Sequence, residues 1–415
     1  MDKKSLWQKI DDTSEQLMQF CADMIRIPSE NPPCNVEEIA AFLTQYLDAH
    51  GIPYEVIRPV PERPSILARI GDPNGKKILF NGHMDVVPAG DRKKWNFDPY
   101  GGEIFDGMLH GRGTSDMKCG LGAVLYTMAL LQESGVKLTG EMSLMIVPDE
   151  ETGGEYGTGW LFEHGYGKAD WGIVAEPTGY DNIEVGQKGQ VNLDIIADGK
   201  SAHGSLSPYV GENAIDRLIR FLPELYALRE LHGTYDEEVG PVMDFSKEVI
   251  KEIQKVPGVE TVMDHVTVNL GTIHGGSKRN MVADHAVAEI DIRVPIGVAA
   301  KTVTDEIERI VSETKIPGIS YEIHGARTGN YVSVKDPIVL AAESCAREVM
   351  GIDLIKAYQW ASSDTRYFRE AGISTIQYGP SNTEGIHTYN ETVNVEDVIR
   401  AAKMYTGIVM DLIGE

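Results

Sequence analysis

At 415 residues, with 42% hydrophobic and 24% charged side chains, the chain is long enough for two or three domains of about 100–200 residues, and no apolar run reaches the roughly 18 residues that would span a bilayer. Lys and Arg total 38 against 63 Asp and Glu, a formal charge of 38 − 63 = −25, which repels phosphate backbones and anionic lipid and argues against nucleic acid and membrane as partners. Cys21, Cys34, Cys119 and Cys345 are too widely separated for a disulfide framework or zinc knuckle, and the N-terminus lacks a secretory apolar segment, so a cytoplasmic protein with buried free thiols is expected.

The first predicted element is an amphipathic helix over 5–27, followed by a Pro-rich turn. A second helix is expected from Asn35, where Glu38 completes a capping box, to a stop at Gly51. Apolar runs at 66–70, 77–80, 142–147 and 172–175, with a helix over 117–133 among them, predict an α/β layered fold whose central strands are buried on both faces. Asp106-Gly107, between Glu103-Ile104-Phe105 and Met108-Leu109-His110, signals a two-residue hairpin.

Near Gly186 the texture changes. A strand over 191–196, a helix over 213–229, strands over 266–273 and 286–294, a helix over 301–313 and a strand over 319–323 give the βαββαβ order of a ferredoxin-like α+β module. The acidic stretch 232–264 interrupts it as a surface excursion with room for one helix. After about Arg327 the α/β alternation resumes and ends in a helix over 395–413. The expected organisation is one discontinuous domain, 1–187 plus 328–415, around an insertion at 188–327.

Five metal-binding side chains fall just past apolar runs: His83, Asp116, Glu151, Glu176 and His387, with Asp85 and Glu150 beside two of them. In an extended segment His83 and Asp85 point the same way, so Asp85 can orient the His83 ring and fix its tautomer. Asp116 sits where a helix begins, so an N-cap is its ordinary alternative. Glu150 and Glu151 follow Asp149 directly after a strand, where three adjacent carboxylates repel one another unless a dication relieves them. Spacing does not decide which glutamate binds metal and which acts as base. Singly each residue has an ordinary surface or capping role; together, at strand ends of one α/β sheet, they point to two divalent ions. Oxygen and nitrogen donors without thiolate suit zinc, with cobalt or manganese as alternatives. Two dications would balance three carboxylates and one hydroxide, the state in which water is acidified enough to attack a carbonyl.

GHMDVVP, GRGTSDMK, PDEETGG, AEPTG, QKG, SAHGS, ASSDTR and GIHTYNE follow one another along nearly the whole chain. In this series the chain resembles the dinuclear-zinc amidohydrolase and metallopeptidase family of acetylornithine deacetylase, succinyl-diaminopimelate desuccinylase, aminoacylase and glutamate carboxypeptidase. The resemblance implies a zinc-peptidase-like α/β/α catalytic domain and makes the ferredoxin-like insertion a lid and dimerisation domain. It implies that His83 and Glu176 hold one ion, Glu151 and His387 the other, and that Asp116 bridges them, with a cis peptide at Asp116-Met117. Asp85 would orient His83, and Glu150 would be the general base that passes a proton to the leaving amine.

By the same resemblance His203 would serve as an oxyanion donor reaching a partner subunit's site, with Asn280 contributing similarly in trans. Arg293 resembles a clamp for the substrate carboxylate, a role its planar fork suits. Ser362 and Arg366 fall in a segment that lines the substrate side, and Lys188 is the basic member of the QKG turn. Glutamate at position 176 favours deacylases over aminopeptidases and dipeptidases, while Gln187-Lys188 lacks the two adjacent basic residues usual in desuccinylases. The expected activity is hydrolysis of an N-acyl amino acid by a homodimer. A dipeptidase, aminopeptidase or carboxypeptidase acting on short peptides is the alternative, and a non-catalytic metal-binding protein a remote one.

Overall fold

Four largely buried strands form the spine of the first unit: Glu141–Val147, Lys77–His83, Trp171–Val174 and Ser374–Gln377 pair in that order, all parallel. The structure is a computed structural model and describes residues 1–415, the side chain of Glu384 excepted. Ser65–Gly71 and then Tyr54–Ile57 extend the sheet antiparallel beyond Glu141–Val147. Every residue of Glu141–Val147 is buried, as expected for a strand covered on both sides. Leu79, Met145 and Val174 pack with Leu161 and Phe368 on one face. Phe80, next along its strand, points the other way and meets Tyr405 of the helix Val395–Ile413, ring centroids 5.5 Å apart. Strand alternation thus creates two helix-covered faces, the α/β/α arrangement expected.

The chain divides into two units, one of Met1–Val185, Val332–Ala357 and Ser363–Glu415, the other of Gly186–Tyr331 and Tyr358–Ser362. In the second, Thr267–Gly275, His285–Val294, Gly189–Asp198 and Ile319–Arg327 form an antiparallel sheet in that spatial order. This second-third-first-fourth order is the ferredoxin-like topology. Val191, Leu193, Ile195 and Ala197 alternate inward along Gly189–Asp198 and pack on Leu218 and Phe221 of one helix and Val303 and Ile307 of the other. No helix is long and apolar enough to cross a membrane among the described residues.

Several local expectations are corrected. The helix predicted over 5–27 is two, Lys3–Asp12 and Ser14–Ile25, broken at Thr13, whose hydroxyl donates to Lys9 O at 2.6 Å; such back-bonding competes with helix continuation. The capping box at Asn35 does not form. The backbone N–H groups of Cys34 and Asn35 both donate to Glu30 O, and Asn35 is used in that turn, so the helix starts at Glu37 with Val36 at its cap. The helix expected over 213–229 continues only to Phe221 and then tightens to a 3-10 turn, Leu222–Glu230, where Pro223 lacks an N–H. Within 232–264 the helix Val239–Gln254 buries Val239, Val242, Met243, Ser246 and Ile250 along one stripe.

Two features place the candidate site. The predicted hairpin is present, with Asp106 and Gly107 at φ 51° and 73°, and its second strand, Met108–His110, pairs with Thr392–Asn394. This pairing lays the segment after His387 beside the loop before Asp116. Secondly, Gly120 in the helix Cys119–Ser134 lies so close to the strand end that a Cβ there would come 2.1 Å from Ala175 O. Gly120→Ala is therefore expected to lower stability by about 1–3 kcal/mol through overpacking and to weaken metal retention, because Ala175 precedes Glu176; an unchanged melting temperature would contradict this.

Candidate metal centre

Parallel strands end on the same side of a sheet, and open α/β folds place ligand sites at their carboxyl ends. His83 is the last residue of Lys77–His83; Glu150 and Glu151 begin the turn after Glu141–Val147; Glu176 follows Trp171–Val174. His387 comes from the segment after Ser374–Gln377 and holds a left-handed φ of 58°. Asp116 belongs to a kinked segment, Thr114–Lys118, with extended φ −121° and ψ 97°. It does not cap the following helix, which begins at Cys119 with Lys118 at its cap. The Asp116-Met117 peptide is cis.

These residues meet. The two oxygens of Asp116 face different histidines: Oδ1 lies 3.1 Å from His83 Nε2 and Oδ2 3.1 Å from His387 Nε2. His387 Nε2 is also 3.1 Å from Glu151 Oε2, and His83 Nε2 is 3.5 Å from Glu176 Oε1. His83, Glu150 and Glu176 form one group able to hold an ion; His83, Asp116 and Glu151 form another. Glu150 is therefore near enough to be a ligand as well as a base. His83 and Asp85 are fully buried, Glu176 nearly so, and His387 is half exposed.

Asp85 plays a wider part than expected. The nearer partner of His83 Nδ1 is the Asp85 backbone carbonyl at 2.9 Å, with the carboxylate at 3.4 Å. That carboxylate also accepts from the backbone N–H groups of Glu150 and Glu151, each at 3.3 Å, and from Asn31 Nδ2 at 2.8 Å. One buried residue thus fixes the histidine through its carbonyl and the acidic loop through its carboxylate. Arg366 holds the same loop from another side, its Nη2 donating to Gly153 O at 2.7 Å.

The protonation states follow from crowding. Burial pushes Glu176 up to about 7, and the charge of Asp116 adds to the shift. Burial and the charge of Glu176 hold Glu150 well above the usual carboxylate range. Hydrogen bonds to Asp116 and Glu151 push His387 up to about 11. Burial alone would lower His83, but the Glu176 charge and its carboxylate partners outweigh it and keep the imidazole well above its ordinary value. Without metal the cluster needs protons to offset its carboxylates; divalent ions would replace them. The donor set therefore fits two ions with nitrogen and oxygen ligands.

The remaining predicted residues lie in the second unit. His203 is exposed, its Nδ1 2.7 Å from Ser205 Oγ, and the adjacent Gly204 N donates to Asn280 O at 2.8 Å, which brings these two positions together. Arg293 is half-buried, and its Nε donates to Asp291 at 2.9 Å. Ser362 Oγ accepts from Gln187 Nε2 at 3.1 Å. Lys188 is buried and donates to Val262 O and His265 O. Burial, with the charge of Arg293 beside it, lowers its amine to about 7.

Asn31, Arg112 and Glu391 bond to the segments that carry the candidate ligands, a role that their residue types alone do not predict. Arg112 and Glu391 stand in two of the motif segments, GRGTSDMK and GIHTYNE, and their opposite charges were the available signal.

Residues 79–411 match peptidase family M20/M25/M40. The chain is 34% identical over 287 residues to a probable succinyl-diaminopimelate desuccinylase of Staphylococcus aureus (strain Mu50 / ATCC 700699), covering 68% of this chain and 69% of that protein. It is 28% identical to aminoacylase-1 of Dictyostelium discoideum across 94% of this chain and 96% of that one. Among solved structures, the di-peptidase Dug1p of Saccharomyces cerevisiae superposes with a TM-score of 0.79 at 17% identity, covering 99% of this chain and 98% of that chain, which shows the shared fold. By the extent of the family match and the identity to its relatives, the chain belongs to peptidase family M20/M25/M40.

Proposed function

We propose that this chain is a two-metal deacylase that hydrolyses the amide bond of an N-acyl amino acid, releasing a carboxylate and a free amino acid. The observation that carries the reading is Asp116, whose two oxygens each face a different histidine at 3.1 Å, with Glu150 beside the His83 and Glu176 pair. His83 and Glu176 would hold one ion, Glu151 and His387 the other, and Asp116 would lie between them. Two divalent ions, zinc by preference, would acidify water and polarise the scissile carbonyl. Glu150 takes the proton from the attacking water and gives it to the departing amine. Asp85 holds the His83 ring and the Glu150 backbone so that both approach the same point.

The second unit would supply a homodimer contact, and His203 would act across it on the oxyanion formed in a partner subunit's site. Arg293 would pair with the substrate carboxylate, with Asn280 and Ser362 as further substrate contacts. Relatives named for desuccinylation and aminoacylase activity support an acylated amino acid as substrate.

Turnover of a panel of N-acyl amino acids by metal-analysed protein, set against unblocked dipeptides, tests the substrate class. Faster hydrolysis of acylated substrates is expected; a preference for free dipeptides would transfer the assignment to a dipeptidase.

Metal loading gives a second test. In the metal-free protein the surrounding carboxylates favour the imidazolium form of both rings, raising each above its ordinary range, whereas only the neutral ring binds a metal ion. Loading should therefore release protons from the cluster. Apparent metal affinity should rise with pH between about 6 and 9. An indicator dye in weak buffer reads the release, and an affinity independent of pH would contradict the assignment.

A further inference from the structure

The Glu391 side chain is fully buried and takes four donors from one loop. Its Oε2 accepts from Arg112 Nη1 at 2.5 Å and Gly113 N at 3.1 Å; its Oε1 accepts from Ser115 N at 2.9 Å and Asp116 N at 3.1 Å. The loop being held ends in the carboxylate that faces both histidines. Glu391 itself stands four residues past His387. Arg112 closes the connection from the other side, its Nη2 donating to Thr388 O at 2.9 Å while its guanidinium lies 5.2 Å from the Trp95 ring centroid. Gly111 N adds a bond to Glu391 O at 3.0 Å.

A buried ion pair is a weak source of net stability, because desolvating two charges offsets much of their attraction. What it does supply is geometry. A guanidinium is a rigid planar fork, and a carboxylate with both oxygens engaged cannot rotate without breaking several bonds. The pair is also neutral overall, so it fixes the loop without adding net charge to a cluster already crowded with carboxylates.

We propose that Glu391, oriented by Arg112, is a positioning residue that holds Asp116 and His387 at the spacing required for the ion they share with Glu151. This rests on the two-ion reading above. His83 and Glu176 are set by strand ends and need no such help. Asp116 and His387 both lie on irregular backbone, in different segments, and Glu391 with Arg112 ties one to the other. Disturbing the tie should loosen chiefly the ion on the His387 side, where both Asp116 and His387 lose their positioning, and far less the one on the His83 side, where His83 and Glu176 stay fixed.

Metal-free wild type and Glu391→Gln are titrated with Zn(II) and, separately, with Co(II), following calorimetric affinity and the visible absorption of each added equivalent. Wild type is expected to bind two ions per chain. Glu391→Gln should bind one ion with little loss of affinity and the second roughly 10–100-fold more weakly, the usual cost of losing an outer partner of a metal ligand. The Co(II) spectrum of the second equivalent should change most, and kcat should fall while KM stays nearly constant. Arg112→Lys keeps the charge but loses the fork, and should move every readout the same way by less; it decides the matter if Glu391→Gln does not fold. Equal weakening of both ions, or wild-type binding of both, would overturn the assignment. A wild-type chain that binds fewer than two ions would sink the two-ion reading itself.

Discussion

Glu150→Ala is expected to lower kcat by about 10²–10⁴, the usual contribution of a positioned acid–base group, while metal content stays at two ions per chain. Glu150 and Glu151 are adjacent in sequence and chemically identical, so the difference in role must come from what surrounds them. Glu151 contacts His387 at 3.1 Å and also accepts from Val87 N at 3.3 Å. Glu150 sits beside His83 and Glu176, and burial with the Glu176 charge raises its carboxyl well above the ordinary range. A raised carboxyl is suited to holding a proton between its arrival from water and its delivery to an amine. Because Glu150 is also close enough to ligate, metal analysis of the variant is decisive. Loss of one ion together with activity would make Glu150 a ligand and leave the base unassigned. Glu151→Ala, in contrast, should lose an ion.

His203→Ala is expected to reduce kcat by roughly 10²–10³, as removal of an oxyanion donor typically does, with the oligomeric state unchanged by sedimentation. His203 is exposed on the second unit, so its side chain is free to meet a partner as the proposed role requires. The two inactive variants give a test of the trans arrangement. When His203→Ala and Glu150→Ala subunits are mixed and exchanged, half of the dimers are hybrids, and each hybrid pairs an intact Glu150 with an intact His203 in one of its two sites. About one quarter of wild-type activity should return. No recovery despite proven exchange would place His203 in its own subunit's site or outside the chemistry altogether.

Much of the architecture was legible because its causes are local. Strands such as Glu141–Val147 carry apolar residues on both faces, at Met142, Leu144, Met145, Ile146 and Val147, and only burial on both sides accounts for that. The alternation along Gly189–Asp198 marks a sheet with one covered face, and Asp106-Gly107 marks a turn whose two residues need positive φ. Elements depart from expectation where a residue has two competing uses. Asn35 is a good cap by type, yet its N–H is engaged in the turn around Glu30, and the helix begins later. Asp116 has a helix cap as its ordinary alternative, but the backbone before Cys119 is kinked and its carboxylate turns to two histidines, as a metal ligand's would.

The candidate site divides along the same line. The sequence by itself determined that two histidines and several carboxylates follow the ends of buried strands, since strand ends and residue types are both properties of short segments. Only the tertiary structure decided which oxygen faces which imidazole, that the Asp85 carbonyl is closer to His83 than the Asp85 carboxylate, and that Glu391 and Arg112 join the loops of Asp116 and His387. A charged residue looks the same in sequence whether water or a buried partner satisfies it. Arg112 and Glu391 are 279 positions apart, and their pairing exists only once the strands Met108–His110 and Thr392–Asn394 have brought the two segments together.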